Sequence, residues 1–206
     1  MKCFTKVEGD LLIFITGGVR SGKSSFAETL AQSFLTPVKN KLIYIATSEL
    51  YDSEMSLRIQ KHQEDRLMSG FTWETWEQPR QIENLVKELS DNQIILLDCL
   101  TTLLANELFY EEGKWSDRLY QEEQVKKILI FLDKIKNKNI TLLLVSNELL
   151  NGGLNYDQAT LTYMKLIGYL HQKIVEKASI VYLIEAGIPL LMKGCENIEG
   201  YHASRN

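Results

Sequence analysis

Short apolar segments alternate along the chain with longer segments in which apolar residues recur every three or four positions. The short segments are rich in Ile, Leu and Val, a composition typical of strands that are buried on both faces of a sheet. They predict strands at residues 11–15, 42–46, 94–98, 140–145 and 180–184. The longer segments predict helices near residues 24–35, 53–66, 81–89, 101–110, 116–136 and 157–177.

This alternation of strands and helices predicts an α/β fold. A helix between two consecutive strands makes those strands parallel, so we expect a mostly parallel central sheet with helices on both faces. In such sheets, ligands bind at the carboxyl ends of the strands. The length of 206 residues fits one domain over residues 1–206, in which we interpret residues 194–206 as a polar tail.

A glycine-rich motif lies between the first predicted strand and the first predicted helix. It fits the P-loop pattern G-x-x-x-x-G-K-[ST] with the residues Gly17, Gly18, Val19, Arg20, Ser21, Gly22, Lys23 and Ser24. In a P-loop the glycines let backbone N–H groups face a phosphate, the lysine reaches the β- and γ-phosphates, and the last hydroxyl holds Mg²⁺. The motif therefore predicts a P-loop NTPase-like fold that binds ATP or GTP, with Lys23 as a catalytic residue.

The strand predicted at residues 94–98 ends in a carboxylate, Asp98. P-loop proteins place at this position the acid that orients Mg²⁺. We therefore predict that Ser24 and Asp98 are metal ligands and that Asp98 takes part in catalysis. The alternative is that Asp98 caps the helix predicted after it, which is a common role for aspartate.

Composition and charge argue against some binding partners and cellular settings for this protein. The net charge is −4, from 23 Lys and Arg against 27 Asp and Glu, which argues against a nucleic-acid-binding protein with a general basic surface. No apolar run approaches the roughly 18 residues that a membrane-spanning helix needs. The cysteines lie far apart and without metal-ligand spacing, which favours a reducing, cytoplasmic setting; they are Cys3, Cys99 and Cys195.

A second candidate site lies on the helix predicted near residues 53–66. Glu54, Arg58, His62 and Arg66 recur every fourth residue and would form one stripe on that helix. The two guanidinium groups would favour a neutral imidazole, which can attack phosphorus, and they could hold phosphate oxygens. The simpler interpretation of the stripe is a solvent-exposed helix face with an ion pair between Glu54 and Arg58.

Taken together, these features resemble a known family, the bifunctional adenosylcobinamide kinase/adenosylcobinamide-phosphate guanylyltransferases of cobalamin biosynthesis. The resemblance extends from about Phe14 to Lys193. It depends on the P-loop with its arginine and on the spacing of the histidine helix. Further matching segments are residues 44–48, 73–79, 97–101 with Asn106, 146–148 and 186–189.

The resemblance implies an enzyme that phosphorylates the aminopropanol hydroxyl of adenosylcobinamide with a nucleoside triphosphate. The enzyme then transfers GMP from GTP to that phosphate, which yields adenosyl-GDP-cobinamide. The resemblance also implies that His62 carries the GMP covalently, which makes a nucleophilic His62 the favoured interpretation of the helix stripe, and that the enzyme is a homo-oligomer, a trimer in the family. The candidate nucleotide contacts outside the P-loop are Thr47, Ser48, Arg58, Arg66, Glu77 and Asp98.

The other two histidines do not belong to such a stripe of charged residues. We interpret His171 as a helix-surface residue and His202 as part of the tail.

Residues 150–155 and 161–165 differ from the family pattern, and the second stretch lacks two arginines of the family. A single-activity relative, such as a kinase without guanylyl transfer, therefore stays open as an alternative. A nucleotide-binding regulatory module is a further alternative, although a pure binding protein has less need of a complete Mg²⁺ set. ATP and GTP both stay open as the phosphoryl donor.

Overall fold

The computed structural model describes residues 10–48, 70–136, 138–148 and 156–195. Its strands are β1 (Leu11–Gly17), β2 (Lys41–Ala46), β3 (Trp73–Glu77), β4 (Gln93–Asp98), β5 (Thr141–Asn147), β6 (Ile180–Glu185) and β7 (Ile188–Lys193). Its helices are α1 (Lys23–Ser33), α2 (Leu100–Leu108), α3 (Arg118–Lys134) and α4 (Gln158–Lys177), with 3₁₀ helices at Ile82–Lys87 and Lys114–Ser116. The helix predicted near residues 53–66 lies outside the described residues.

The strands form one sheet in the order β3-β2-β4-β5-β1-β6-β7. All neighbouring strands are parallel except β6 and β7, which are antiparallel. Strand β5 lies between β1, which leads into the glycine-rich loop, and β4, which ends in Asp98. The prediction of a mostly parallel sheet is confirmed, and the topology places the two candidate phosphate-binding elements on either side of β5.

The two edge strands were not predicted. Strand β3 has the polar sequence WETWE, and β7 exposes every second side chain, Ile188, Leu190 and Met192. An edge strand has a partner on one side only and does not need the continuous apolar run of a central strand. Strand β7 pairs with β6 through a tight turn in which Ala186 and Gly187 both have positive φ, as a two-residue hairpin turn requires.

Helices cover both faces of the sheet, as predicted. Successive strand side chains point to opposite faces, and this divides β1 between two apolar clusters. Ile13 and Ile15 pack with α1 residues such as Leu30, whereas Phe14 packs with residues of α2, α3 and α4. Leu30 is fully buried, so truncating it to alanine would cost about 2–5 kcal/mol. The sheet is therefore a rigid, doubly covered platform for its carboxyl edge.

Two of the described α-helices begin with a side-chain cap, whereas α1 and α2, which start at the candidate site, do not. The Asp117 side chain accepts the Leu119 N–H at the start of α3, and Asp157 accepts the Thr160 N–H at the start of α4. Helix α1 instead begins directly after Gly22, with no side-chain cap. The helix predicted near residues 81–89 is a short 3₁₀ helix. Among the described residues, none of the helices combines the length and apolar character needed to span a bilayer.

Candidate active site

The glycine-rich loop connects β1 to α1, and its shape depends on two glycines. Gly17 has φ of +152°, and a Cβ atom there would lie 2.3 Å from the carbonyl oxygen of Ile184 on the neighbouring strand. Gly22 has φ of +91°, a conformation that glycine adopts at little cost. The loop is also held to the β6–β7 turn, because the Gly187 N–H donates to the Ser21 carbonyl at 2.9 Å.

The loop opens directly onto the amino end of α1. Gly22 offers no side chain to cap this helix, and the first turn contains no acidic residue. The N–H groups of a helix's first turn have no partners within the helix, and the helix dipole adds partial positive charge there. This end of α1 is therefore suited to an anionic group such as a phosphate.

Lys23 lies over the loop that precedes it. Its side chain is 6% exposed, and its ammonium group donates to the Gly18 carbonyl at 2.5 Å and to Ser21 Oγ at 3.4 Å. Burial lowers the pKa of Lys23, whereas the negative charges of Asp98 and Glu148 act in the opposite direction. Lys23 thus contacts the phosphate-binding loop and lies within electrostatic reach of two carboxylates.

Strand register brings the other candidate groups to the same edge. Ala46, the last residue of β2, pairs with Glu77 of β3 on one side and with Asp98 of β4 on the other. On the far side of β5, Gly17 pairs with Asn147. Of the remaining P-loop residues, Gly18, Ser21 and Ser24 are half-buried, and Val19 and Arg20 are exposed. The predicted loop residues, Glu77 and Asp98 therefore lie along one edge of the sheet.

Asp98 does not cap α2, so the capping alternative is wrong. The residue that precedes α2 is Cys99, and it makes no side-chain cap. One carboxylate oxygen of Asp98 instead accepts a hydrogen bond from the Tyr44 hydroxyl at 3.1 Å. The Asp98 side chain is thus held at the edge of the sheet.

The oxygens of Ser24 and Asp98 fit Mg²⁺ by their chemistry. This ion prefers hard oxygen ligands and commonly uses one or two carboxylates together with substrate phosphates and water. Within the described ranges, there is no cluster of three or more His, Cys, Asp and Glu side chains that could hold a metal.

Thr47 and Asn106 connect the carboxyl ends of β2, β3 and β4 through hydrogen bonds. The Thr47 side chain is fully buried, and its hydroxyl accepts the Cys99 N–H at 2.8 Å and donates to the Cys99 carbonyl at 2.9 Å. Asn106 of α2 donates to the Thr47 carbonyl at 2.8 Å and to the Pro79 carbonyl at 3.1 Å. The Thr47 hydroxyl is thus already paired, and direct contact of Thr47 with a nucleotide stays a prediction. Ser48 is the half-buried residue that follows it.

Sequence reasoning did not assign roles to two residues at the end of β5. Asn147 donates to the Thr101 hydroxyl at 3.1 Å. The backbone N–H of Glu148 donates to the Gly17 carbonyl at 2.9 Å, and its carboxylate lies within electrostatic reach of Lys23. The available signal was a run of polar residues directly after an apolar strand, which in a parallel sheet means the ligand-binding edge.

Cys99 belongs to the same polar cluster. Its sulfur lies 3.0 Å from the Thr101 hydroxyl and 3.1 Å from the Thr102 hydroxyl. Burial and the neighbouring charge of Asp98 raise the pKa of the Cys99 thiol. Cys99 is therefore a neutral, hydrogen-bonded group rather than a nucleophile.

The prediction that His171 lies on a helix surface is wrong. Its Nε2 atom is 2.7 Å from Ser146 Oγ, and its ring meets the edge of Phe14 at a centroid distance of 5.1 Å. Burial lowers the pKa of His171 to about 4. Helix α4 packs this part of its surface against the sheet. His171 lies one helical turn from the buried Ile167 and Ile174, and this apolar spacing was the available signal.

Several predicted site residues and differences from the family pattern cannot be placed. His62, Arg58 and Arg66 lie outside the described residues, as do residues 150–155. Residues 161–165 form part of the first turns of α4, where the Tyr163 hydroxyl donates to the Thr101 carbonyl at 2.8 Å. This altered stretch therefore helps to hold the start of α2 beside Asp98.

A polar cavity of about 170 Å³ lies beside the Ile82–Lys87 3₁₀ helix and α3. The Arg80 guanidinium lies 3.6 Å from the centroid of the Tyr110 ring, and the buried carboxylate of Glu107 accepts the Gln81 N–H. Burial raises the pKa of Glu107. Three cations and three carboxylates line the cavity, so it does not present a net positive charge to a phosphate; they are Arg80, Lys114, Lys127, Glu107, Glu111 and Glu123.

Comparison with known proteins identifies the family. Residues 13–192 match the family described as "Cobinamide kinase / cobinamide phosphate guanyltransferase". The chain belongs to this family. The Pseudomonas aeruginosa "Bifunctional adenosylcobalamin biosynthesis protein CobP" is 34% identical over 181 residues, which cover 87% of this chain and 96% of that protein. The Salmonella typhimurium "Bifunctional adenosylcobalamin biosynthesis protein CobU" is 30% identical over 189 residues, which cover 89% of this chain and 100% of that protein.

The resemblance found in the sequence is thereby confirmed, and the chain is an enzyme of the cobinamide kinase/cobinamide phosphate guanyltransferase family. Among solved structures, the flagellar accessory protein FlaH from Methanocaldococcus jannaschii is similar, with a TM-score of 0.49 and 16% identity. That alignment covers 89% of this chain and 78% of the FlaH chain.

Proposed function

We propose that this enzyme phosphorylates adenosylcobinamide with a nucleoside triphosphate and then transfers GMP from GTP to the new phosphate. The product is adenosyl-GDP-cobinamide, and the GMP passes through a covalent intermediate on His62. The observation that carries the proposal is the position of Lys23, which lies over the glycine-rich loop and within electrostatic reach of Asp98. Family membership supports both half-reactions.

In the kinase half-reaction, the loop and Lys23 hold the triphosphate. Backbone N–H groups of the loop and the amino end of α1 bind its oxygens, and Lys23 stabilises the charge that develops on the β- and γ-phosphates. Ser24 and Asp98 would hold Mg²⁺, which supplies further neutralisation of the phosphate charges when it is bound. These groups act by position and charge, which is how most phosphoryl transfer is catalysed.

In the guanylyl half-reaction, His62 attacks the α-phosphorus of GTP. A bond forms between the imidazole nitrogen and phosphorus, and pyrophosphate leaves with the bonding electrons. A phosphate oxygen of the phosphorylated acceptor then attacks the same phosphorus, and the histidine leaves. We assign Arg58 and Arg66 to the phosphate oxygens, because a guanidinium group matches them in geometry and charge. Thr47, Ser48 and Glu77 are the proposed further nucleotide contacts.

The setting of the reaction is also part of the proposal. We place the enzyme in the reducing cytoplasm, because its cysteines show no disulfide or metal spacing. We propose a homo-oligomer, with the trimer suggested by the family resemblance. The substrates are then adenosylcobinamide and a purine nucleoside triphosphate, without nucleic acid.

The deciding experiment is an intact-mass spectrum after incubation with GTP and Mg²⁺. The wild-type chain is expected to gain the mass of one GMP, in an acid-labile and base-stable bond. His62→Ala should prevent this adduct, whereas His202→Ala, a change in the predicted tail, should leave it unchanged. A parallel assay follows the phosphorylation of adenosylcobinamide with ATP and with GTP as donor.

The outcomes separate the alternatives. Phosphorylation without an adduct, in protein that binds GTP, would show a kinase that does not transfer GMP. An adduct without phosphorylation would show the reverse single-activity enzyme. Binding of GTP with neither reaction would indicate a nucleotide-binding regulatory module.

A further inference from the structure

Two carboxylates lie within electrostatic reach of Lys23, and the metal role uses only one of them. Asp98 ends β4 on one side of β5, and Glu148 directly follows β5 itself. The charges of both carboxylates act on the Lys23 ammonium group. Lys23 marks the place of the β- and γ-phosphates in a P-loop protein, so Glu148 lies close to the phosphoryl group that is transferred.

The backbone of Glu148 is held from two sides. Its N–H donates to the Gly17 carbonyl at 2.9 Å, which ties it to the start of the glycine-rich loop. The preceding residue, Asn147, pairs with Gly17 in the sheet and donates to the Thr101 hydroxyl of α2 at 3.1 Å. Glu148 is therefore part of the rigid edge between the P-loop and α2.

The two carboxylates differ in their hydrogen bonds. Asp98 accepts a hydrogen bond from the Tyr44 hydroxyl at 3.1 Å. In the part of the chain that the structure describes, the half-buried Glu148 carboxylate accepts no hydrogen bond, so its oxygens can receive a proton from a bound substrate. A candidate base must lie within reach of the proton that it removes, and the Glu148 backbone is bonded to the first residue of the glycine-rich loop.

We propose that Glu148 is the general base of the kinase half-reaction, an inference that rests on the proposed function. The acceptor's hydroxyl oxygen forms a bond with the γ-phosphorus while the bond from that phosphorus to the bridging oxygen breaks. The hydroxyl proton moves to the Glu148 carboxylate, and the nucleoside diphosphate leaves with the bonding electrons. The proton then passes to water, which the half-exposed side chain can reach.

The guanylyl half-reaction has no need of this base. Its final nucleophile is a phosphate oxygen, and a phosphate monoester is largely ionised at neutral pH because its second pKa is near 6. Glu148 should therefore act in one half-reaction only. This asymmetry provides an internal control within a single protein.

The test compares Glu148→Gln with Glu185→Gln in the full-length protein at saturating nucleotide and Mg²⁺. Glu185 is the exposed last residue of β6 at the same edge of the sheet, and its substitution serves as the matched control. Glu148→Gln is expected to lower kcat for adenosylcobinamide phosphorylation by about a hundredfold or more. The yield of GMP on His62 and the affinity for GTP should stay at the wild-type level, and Glu185→Gln should change neither reaction.

Glu148→Asp separates proton transfer from structural effects. It keeps a carboxylate on a shorter side chain and should retain more kinase activity than Glu148→Gln, with the same thermal unfolding midpoint. Unchanged phosphorylation in Glu148→Gln would overturn the inference, as would equal loss of both half-reactions or recovery of kcat at high Mg²⁺, which would mean that Glu148 holds metal. Absence of phosphorylation by the wild-type protein would instead overturn the proposed function, and this inference with it.

Discussion

Two buried lysines lie at opposite ends of the central sheet. Lys23, 6% exposed, is at the carboxyl end, and Lys39, 9% exposed, is at the amino end. Burial lowers the pKa of both ammonium groups. Lys39 donates to the hydroxyl of Thr141, the first residue of β5, at 3.1 Å, and the negative charge of Asp10 acts on it. Lys23 donates instead to a carbonyl and a hydroxyl of the loop beneath it.

The difference shows that burial alone does not make a lysine functional. Asp10 also accepts the Ile140 N–H at 3.3 Å, so protein groups close the amino end of the sheet around Lys39. At the carboxyl end, the groups around Lys23 are loop N–H groups, an uncapped helix start and two carboxylates. A phosphate oxygen can replace the Gly18 carbonyl as the acceptor of Lys23, whereas Lys39 already has its protein partners.

The largest expected effect that separates the two ends is that of Lys23→Met. Loss of the ammonium group should lower both half-reactions by about a thousandfold, the upper range for removal of one preorganised electrostatic contact. The free energy of unfolding should change by less than about 1 kcal/mol, because the substitution also removes a desolvated charge. Steady-state rates and urea denaturation measure the two quantities. Rates within tenfold of the wild type would show that activity does not depend on Lys23 and would remove the functional difference between the two ends of the sheet.

His171 extends the comparison to a half-buried ionisable group beside β5. Its pKa is about 4 in the folded protein, against 6.5 for an exposed histidine, so folding favours the neutral ring. Its contribution to stability is complete above about pH 6.5 and is lost as the pH falls through about 4. Between pH 7 and pH 4, the wild type should lose about 3 kcal/mol more folding free energy than His171→Asn.

Urea denaturation at several pH values measures this difference. His202→Asn, a change in the predicted tail, is the control and should follow the wild-type pH dependence. Parallel pH profiles for the wild type and His171→Asn would show that the ring is protonated in the folded state and would contradict the buried environment.

Gly17→Ala tests whether the glycine-rich loop at the carboxyl end of the sheet requires a residue without a side chain at position 17. A Cβ atom at residue 17 would lie 2.3 Å from the Ile184 carbonyl oxygen, so the loop must move away from β6. We expect a loss of about 2–3 kcal/mol in the free energy of unfolding, together with much weaker GTP binding. Gly18→Ala is the matched control, because a Cβ atom there meets nothing within 4 Å. Equal effects of the two substitutions on GTP affinity, measured by calorimetry, would contradict the steric argument.

The smallest effect is expected at the amino end. Lys39→Met leaves the buried Thr141 hydroxyl without its donor, and we expect a loss of about 1 kcal/mol in stability. Both half-reactions should keep their wild-type rates, because Lys39 lies at the end of the sheet away from the loop. Thermal unfolding and the two activity assays check this. A loss of activity comparable with that of Lys23→Met would remove the functional distinction between the two lysines.

Much of the fold was predictable because a parallel strand buried on both faces must be apolar along its whole length. That requirement marks β1, β2, β4, β5 and β6 in the sequence. It does not apply to the edge strands, so the polar β3 and the alternating β7 were missed. The 3₁₀ geometry of residues 82–87 was also missed, because apolar spacing over so few residues is similar in both kinds of helix.

The sequence by itself determined the glycine-rich loop, the lysine and serine at its end and the carboxylate at the end of β4, because their chemistry depends on residue type and short spacing. It also determined the family, through motifs spread over most of the chain. Only the tertiary structure decided that Thr47 hydrogen-bonds to Cys99, that His171 packs against Ser146 and that Glu148 lies within electrostatic reach of Lys23. These contacts join residues far apart in the chain, and they depend on strand order and register, which no local pattern encodes.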